Sequence, residues 1–258
     1  MNFQILAKCA LDAYADSTIC DKQSDTQVLI RRFGDEVVVA FRGTNDWQKV
    51  IGDLEVELVR FGPYGLEQGK WHRGVRNAVE SVFYDLLGIL GQDKGPIYFT
   101  GHSFGGGCAP AMAYLLSSRI PNIRGVVTFA GMRFGDRCFA QNYSIRMNFP
   151  TWRICAEFDP VPHLPEPALF LPYKHVGKEI LVSTADDGLT CEQISINPGW
   201  WQSLKRDLSV RFFSKDLAAI KEDLLLPLDA GSMHSMKRYR CLVSSPAFPE
   251  IVGDSIFL

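Results

Sequence analysis

The sequence predicts an α/β fold, a central, mostly parallel sheet with crossover helices on both faces. Three observations carry the prediction. Short runs of β-branched and aromatic residues alternate with longer stretches whose apolar residues recur at helical spacing, the pattern of strands joined by crossover helices. Within that alternation, Ile97 to Ala113 (IYFTGHSFGGGCAPAMA) passes from an apolar strand through an abrupt turn into a helix of small residues. Finally, 258 residues that are 47% hydrophobic and 22% charged, with no Pro/Gly/Ser-rich linker, suit one large domain over 1–258 with a substantial core.

From the N-terminus, Leu6, Cys9, Ala10, Ala13 and Tyr14 fall at helical spacing, with Lys8, Asp12 and Asp16 between them. This is an amphipathic helix and not a signal peptide. Thr26 to Arg32 and Glu36 to Arg42 are β-branched runs separated by Gly34-Asp35, a hairpin signal. The continuous apolar run Val37 to Phe41 suits an inner strand buried on both faces, and it ends in Arg42-Gly43-Thr44. Thr44 then lies at a carboxyl edge, where open α/β sheets place their sites, although a threonine there also serves as a helix N-cap. Asn45 to Leu54 makes one or two helical turns with Trp47, Val50, Ile51 and Leu54 on one side, either a lid or a helix packed on the core. Asp53 to Lys70 reads as a strand and a loop. Trp71 to Val75 opens a long helix to about Leu90, with Val75, Ala78, Val79, Val82, Phe83, Leu86 and Leu87 on its buried stripe. Beyond the turn at Ser103 come a strand at Ile123 to Ala130, a helix ending near Tyr143, and strands at Thr151 to Ala156 and Ile180 to Thr184.

The turn has the pattern Gly101-His102-Ser103-Phe104-Gly105, G-x-S-x-G, a nucleophile elbow. Glycines on both sides keep Cβ atoms out of a narrow strand-to-helix turn, and the following helix N-terminus presents free N–H groups to a developing oxyanion. A serine hydroxyl is a poor nucleophile at neutral pH. It needs a histidine to accept its proton and a carboxylate to hold that imidazole in the right tautomer. In α/β-hydrolases these follow in the order Ser, Asp/Glu, His. Asp159, in Glu157-Phe158-Asp159-Pro160, stands at the carboxyl edge after the Thr151 strand and is preferred to Glu157. Of the later histidines, His163 is too near Asp159 in sequence to come from an independent loop, and His175 begins a strand. His234, at a Gly/Ser-rich helix start, is the candidate base.

A net charge of −2 without blocks of like charge argues against a nucleic-acid partner. Seven cysteines with no C-x-x-C pair indicate neither a disulfide framework nor a zinc site, and Cys108 and Cys155 sit in apolar surroundings as buried thiols. With no signal peptide and no run long enough to span a bilayer, the expected compartment is reducing and cytoplasmic, with export by a route lacking a cleaved signal left open.

Six ordered motifs, Val38 to Thr44, Trp71 to Gly74, Gly101 to Gly106, Thr128 to Asp136, Phe158 to Pro162, and His234 with Tyr239, resemble the class 3 lipases, the family of the filamentous-fungal triacylglycerol lipases. The resemblance spans about residues 30 to 240. It implies an α/β-hydrolase that cleaves lipid esters with a Ser103, Asp159, His234 triad. The oxyanion hole would be Thr44, through backbone N–H and hydroxyl, and the N–H of Phe104. The lid would be Asn45 to Leu54, and transient contact with a lipid interface is expected. No metal or organic cofactor is required. The chain departs from the secreted fungal members in its short lid and in lacking their signal peptide and disulfides. Its stretch at 186–230, with Trp200-Trp201 and a helical run at Asp216 to Leu226, is long: an extra cap or a packing element. Phospholipase, short-chain or aromatic-acid esterase and amidase activities would use the same triad, and a catalytically silent lipid- or protein-binding scaffold is the alternative from another class.

Overall fold

A computed structural model describes residues 1–44, 57–60, 69–157, 159–165, 173–184, 191–196, 234–245 and 248. Helix α1 (Phe3–Asp12) starts where the Asn2 side chain accepts the Ile5 N–H at 2.9 Å, and it buries Phe3, Leu6, Ala7, Cys9 and Ala10. Strands β1 (Ile19–Asp21), β2 (Thr26–Phe33) and β3 (Glu36–Phe41) form an antiparallel meander, and the predicted hairpin turns at Gly34 with φ +63°. After β4 (Leu58–Arg60) and β5 (Lys70–His72) come helix α2 (Arg73–Leu90), β6 (Ile97–His102), helix α3 (Gly105–Leu116) and β7 (Ile123–Phe129). The chain continues through β8 (Gly135–Asp136), helix α4 (Arg137–Arg146), β9 (Thr151–Ala156), a 3₁₀ turn (Val161–His163), β10 (Tyr173–Lys174), β11 (Lys178–Thr184), β12 (Cys191–Ile196) and helix α5 (Met236–Ser244).

The main sheet has the order β1-β2-β3-β6-β7-β9-β11-β12. Its five central strands, β3, β6, β7, β9 and β11, are parallel, and β1, β2 and β12 flank them antiparallel. Side chains alternate between two cores. Val37, Val39, Phe41, Ile97 and Phe99 face α2, α3 and α4; Val38, Ala40, Tyr98, Phe129 and Ile154 face α1 and α5. Both faces are dry, so β3 and β6 read as continuous apolar runs. Helices cover both faces as predicted, but the connecting helices α2, α3 and α4 all lie on one. The strand order advances in one direction, and right-handed crossovers then fall on a single side. The other face is covered by α1 and α5, which come from the two ends of the alternation.

Two details differ from expectation, and a third adds to it. The segment Trp71-His72 is the end of a strand, because β5 pairs with β4 and β8 in a second sheet of order β10-β8-β5-β4. Helix α2 begins only at Arg73, where His72 Nδ1 accepts the Val75 N–H at 3.4 Å. Within 186–230, residues 191–196, for which the sequence offered no element, form β12, antiparallel to β11. The remainder of that stretch and the lid candidate at 45–54 lie outside the described residues. Phe248, in the C-terminal tail, docks edge-on against Phe3 with ring centroids 5.5 Å apart.

Candidate active site

The elbow is built by missing Cβ atoms. A Cβ on Gly101 would stand 2.2 Å from the Gly105 carbonyl oxygen, and one on Gly105 would stand 2.3 Å from the Phe41 oxygen. Only glycine lets α3 leave β6 at this angle. Ser103, between them, takes φ +58°, a left-handed conformation that costs a non-glycine residue about 1–2 kcal/mol. The turn is held by Ser103 N–H donating to the Phe129 carbonyl at 3.0 Å and by Gly106 N–H donating to the Ser103 carbonyl at 3.0 Å. Phe104 caps α3, so its N–H belongs to the helix end that is left without intrahelical partners. The exit of β3 presses against the same point: a Cβ on Gly43 would meet Ser103 Cβ at 3.0 Å and the His102 carbonyl oxygen at 2.7 Å. Thr44 follows directly, partly buried.

Asp159 lies just beyond β9 and is 1% exposed. Its oxygens take one backbone and two side-chain donors: Val161 N–H at 2.9 Å, Tyr239 O–H at 2.8 Å, and His234 Nδ1 at 3.1 Å to both oxygens. Burial alone would raise its pKa; the neighbouring His234 and these donors outweigh burial and hold the carboxyl below its usual range. His234 stands two residues before α5, whose first turn is capped by Ser235. Tyr239 on α5 also accepts the Ala156 N–H at 2.8 Å, tying the helix to the end of β9, and Arg238 donates to the Glu157 carbonyl at 3.2 Å. With Nδ1–H on the carboxylate, His234 keeps a lone pair on Nε2. That nitrogen and Ser103 Oγ are both buried and neither makes a hydrogen bond.

Asp159 and His234 are thus in direct contact, and His102, the residue before Ser103, stacks its ring on His234; Phe104 follows the serine in the turn, and Thr44 follows Gly43, which presses on Ser103. The rival residues do not converge there. Glu157 is partly exposed and contributes backbone groups, and His175 Nε2 bonds the Pro162 carbonyl at 2.6 Å. Arg133 steadies the Asp159 loop, its backbone N–H donating to the Leu164 carbonyl at 2.7 Å and its guanidinium to the carbonyls of His163 and Pro165. Two site residues escaped the sequence. His102 entered it only as a variable position of the elbow, yet its ring stacks on His234 with centroids 4.5 Å apart and an angle of 27°. Tyr14, read as one apolar position of a helix, bonds His102. No spacing rule links residues 14, 102 and 234. Cys108 and Cys155 are buried thiols, as their surroundings imply. Among the described residues, no group of three or more His, Cys, Asp or Glu is placed to hold a metal ion, and no helix is long and apolar enough to cross a membrane.

Residues 38–168, half of the chain, match the profile of the family lipase (class 3). Among solved structures, the chain is similar to lipase II from Rhizopus niveus (22% identity, 75% of this chain and 82% of that one, TM-score 0.66). It is also similar to a triacylglycerol lipase from Penicillium expansum (18% identity, 75% and 81%, TM-score 0.64). The triacylglyceride lipase of Rhizomucor miehei is 27% identical over 67% of this chain and 66% of that one, with TM-score 0.58. These likenesses establish the fold as that of the α/β-hydrolase lipases. No curated protein matches the chain in sequence.

Proposed function

The chain belongs to the class 3 lipases, hydrolases of lipid esters, and from that premise we propose that it is a serine carboxylic-ester hydrolase working through an acyl-enzyme on Ser103, His234 and Asp159. The observation that carries the proposal is the pair of buried, unpartnered atoms, Ser103 Oγ and His234 Nε2. Buried polar atoms are normally satisfied, and an unpartnered serine oxygen on an elbow, with an unpartnered nitrogen on a carboxylate-held imidazole, suits a nucleophile and a base awaiting substrate. His234 Nε2 takes the hydroxyl proton as Ser103 Oγ attacks the ester carbonyl. The tetrahedral oxyanion is met by the N–H groups of Thr44 and Phe104 and by the Thr44 hydroxyl. His234 then returns its proton to the leaving alcohol oxygen, leaving an acyl-serine and free alcohol. Water, deprotonated by the same nitrogen, hydrolyses the ester and regenerates Ser103. Asp159 stabilises the imidazolium in both steps without itself taking the proton.

The substrate class is an apolar acyl ester such as an acylglycerol. Hydrolysis of p-nitrophenyl esters from two to sixteen acyl carbons, by wild type and Ser103→Ala in parallel, tests the reading. Activity in wild type and its loss by orders of magnitude in the variant are expected, with an optimum at long chains for a lipase and at short chains for an esterase. Equal activity in both proteins refutes the assignment of Ser103. Thr44→Val, which removes one oxyanion donor, is expected to lower kcat on the order of 10²–10³-fold.

A further inference from the structure

A chain of hydrogen bonds runs behind the site, from the exit of β3 to the backbone of His234. Gly43 N–H donates to the Tyr14 hydroxyl oxygen. The Tyr14 O–H donates to His102 Nδ1 at 2.7 Å, and His102 Nε2–H donates to the His234 carbonyl at 2.8 Å. The polarity of the chain follows from its ends. A backbone carbonyl only accepts, so His102 Nε2 carries a proton; Gly43 N–H only donates, so the tyrosine proton is left for Nδ1. His102 is thereby fixed as one neutral tautomer, and burial, followed by the neighbouring His234, pushes its pKa down to about 3. A neutral ring can lie face to face on an imidazole that becomes cationic during turnover; a second imidazolium there would oppose it. The anchoring is tight at the Gly43 end, where a Cβ would fall 2.2 Å from the Tyr14 oxygen.

We propose that His102 and Tyr14 are positioning residues of the reaction, fixing the His234 backbone and ring plane and coupling them to the Gly43-Thr44 segment. Neither touches Ser103 Oγ or the substrate carbonyl; both act through the placement of groups that do. Tyr14 stands just past α1, before the residues that match the family profile, so the N-terminal helix contributes to the geometry of the site. The inference rests on the ester-hydrolase reading.

Three variants test it on a p-nitrophenyl ester, with Tm and histidine ¹⁵N shifts measured alongside. Tyr14→Phe removes one oxygen and keeps the ring, so it is expected to fold. Its kcat is expected to fall about threefold to tenfold, the worth of one hydrogen bond, with KM unchanged. His102→Leu, which frees the His234 carbonyl and the stacked face, is expected to lose on the order of 10²-fold in kcat. His102→Gln offers an N–H to that carbonyl and an oxygen to Tyr14, and is expected to recover most of that loss. The wild-type ¹⁵N signal of His102, assigned by its loss in His102→Gln, is expected to be that of a neutral ring protonated at Nε2, and Tyr14→Phe is expected to alter that signal. Wild-type kcat in Tyr14→Phe, or a Gln variant no better than Leu at equal Tm, overturns this inference while Ser103-dependent hydrolysis stands. Absence of Ser103-dependent hydrolysis in wild type overturns the functional reading itself, and with it the positioning role of His102 and Tyr14.

Discussion

Replacing Tyr239 with phenylalanine removes a single oxygen atom from a place where two hydrogen bonds meet. The hydroxyl donates to Asp159 Oδ2 at 2.8 Å and accepts from Ala156 N–H at 2.8 Å, and the residue is fully buried. A hydrogen bond to a charged group is worth about 1.5–3 kcal/mol, and a buried N–H left without a partner costs about 1–3 kcal/mol. The phenyl ring keeps every packing contact, so the expected loss is about 3 kcal/mol at neutral pH. For a domain of this size that lowers Tm by about 6–12 °C. The effect carries a pH signature. Because the folded-state pKa of Asp159 is depressed, its charged interactions stabilise the protein fully above the unfolded value near 3.9 and are lost as pH falls through the folded value. The difference between wild type and variant should therefore be widest near pH 7 and narrow towards pH 3, where the Ala156 contribution remains. Urea unfolding at a series of pH values reads both quantities. A variant within 0.5 kcal/mol of wild type at pH 7, or a gap that widens on acidification, would refute the argument that this hydroxyl supports an ionised carboxylate.

The same physics makes two further outcomes measurable. Gly105→Ala places a Cβ 2.3 Å from the Phe41 oxygen and should destabilise by at least about 3 kcal/mol, whereas Gly88→Ala, exposed on α2 with nothing within 4 Å, should stabilise by about 0.5–1 kcal/mol; thermal melts of both variants separate a glycine required by close approach from one that is not. Stability should also fall as pH is lowered from 6.5 towards 4: burial holds His72 at about 4, His102 at about 3 and His175 well below its ordinary value, so the unfolded chain binds protons that the folded one does not, at up to ~1.4 kcal/mol per histidine per pH unit. A Tm that stays flat across that interval would contradict the burial of these rings in neutral form.

What could be read in the sequence was whatever is enforced locally. Gly101-His102-Ser103-Phe104-Gly105 announces its turn because the glycines answer to atoms within a few residues or on the adjoining strand, and Gly34 fixes a hairpin whose two arms are contiguous. Asp159 and His234 were found through chemical order and position at element ends. The small sheet was not legible. Strands of two and three residues such as β8, β10 and β5 have no periodicity, and Trp71-His72 becomes a strand through pairing with Leu58 and Val59 on one side and with Gly135, 64 residues away, on the other. Tyr14 and His102 were invisible for a related reason. Their contact spans 88 residues and exists because α1 crosses the sheet face, a tertiary event with no counterpart in local spacing. The supporting roles of Arg133 and Arg238 were hidden in the same way, since both donate to backbone carbonyls, which carry no residue identity.

The helix that brings His234 packs against α1, and Phe248 closes on Phe3 behind it. On a ribosome this order matters. The nucleophile turn and the carboxylate emerge well before the imidazole, which follows Asp159 by 75 residues. Among the described residues, the helices over the side of the sheet with Val38, Ala40, Tyr98 and Ile154 are α1 and α5, so one of the two is present from the start of synthesis and the other arrives near its end. A growing chain thus gains His234 and the second of these helices in one docking step, α5 against α1. The first helix holds the place for the last, and the imidazole beside Asp159 is the final part of that cluster to be made.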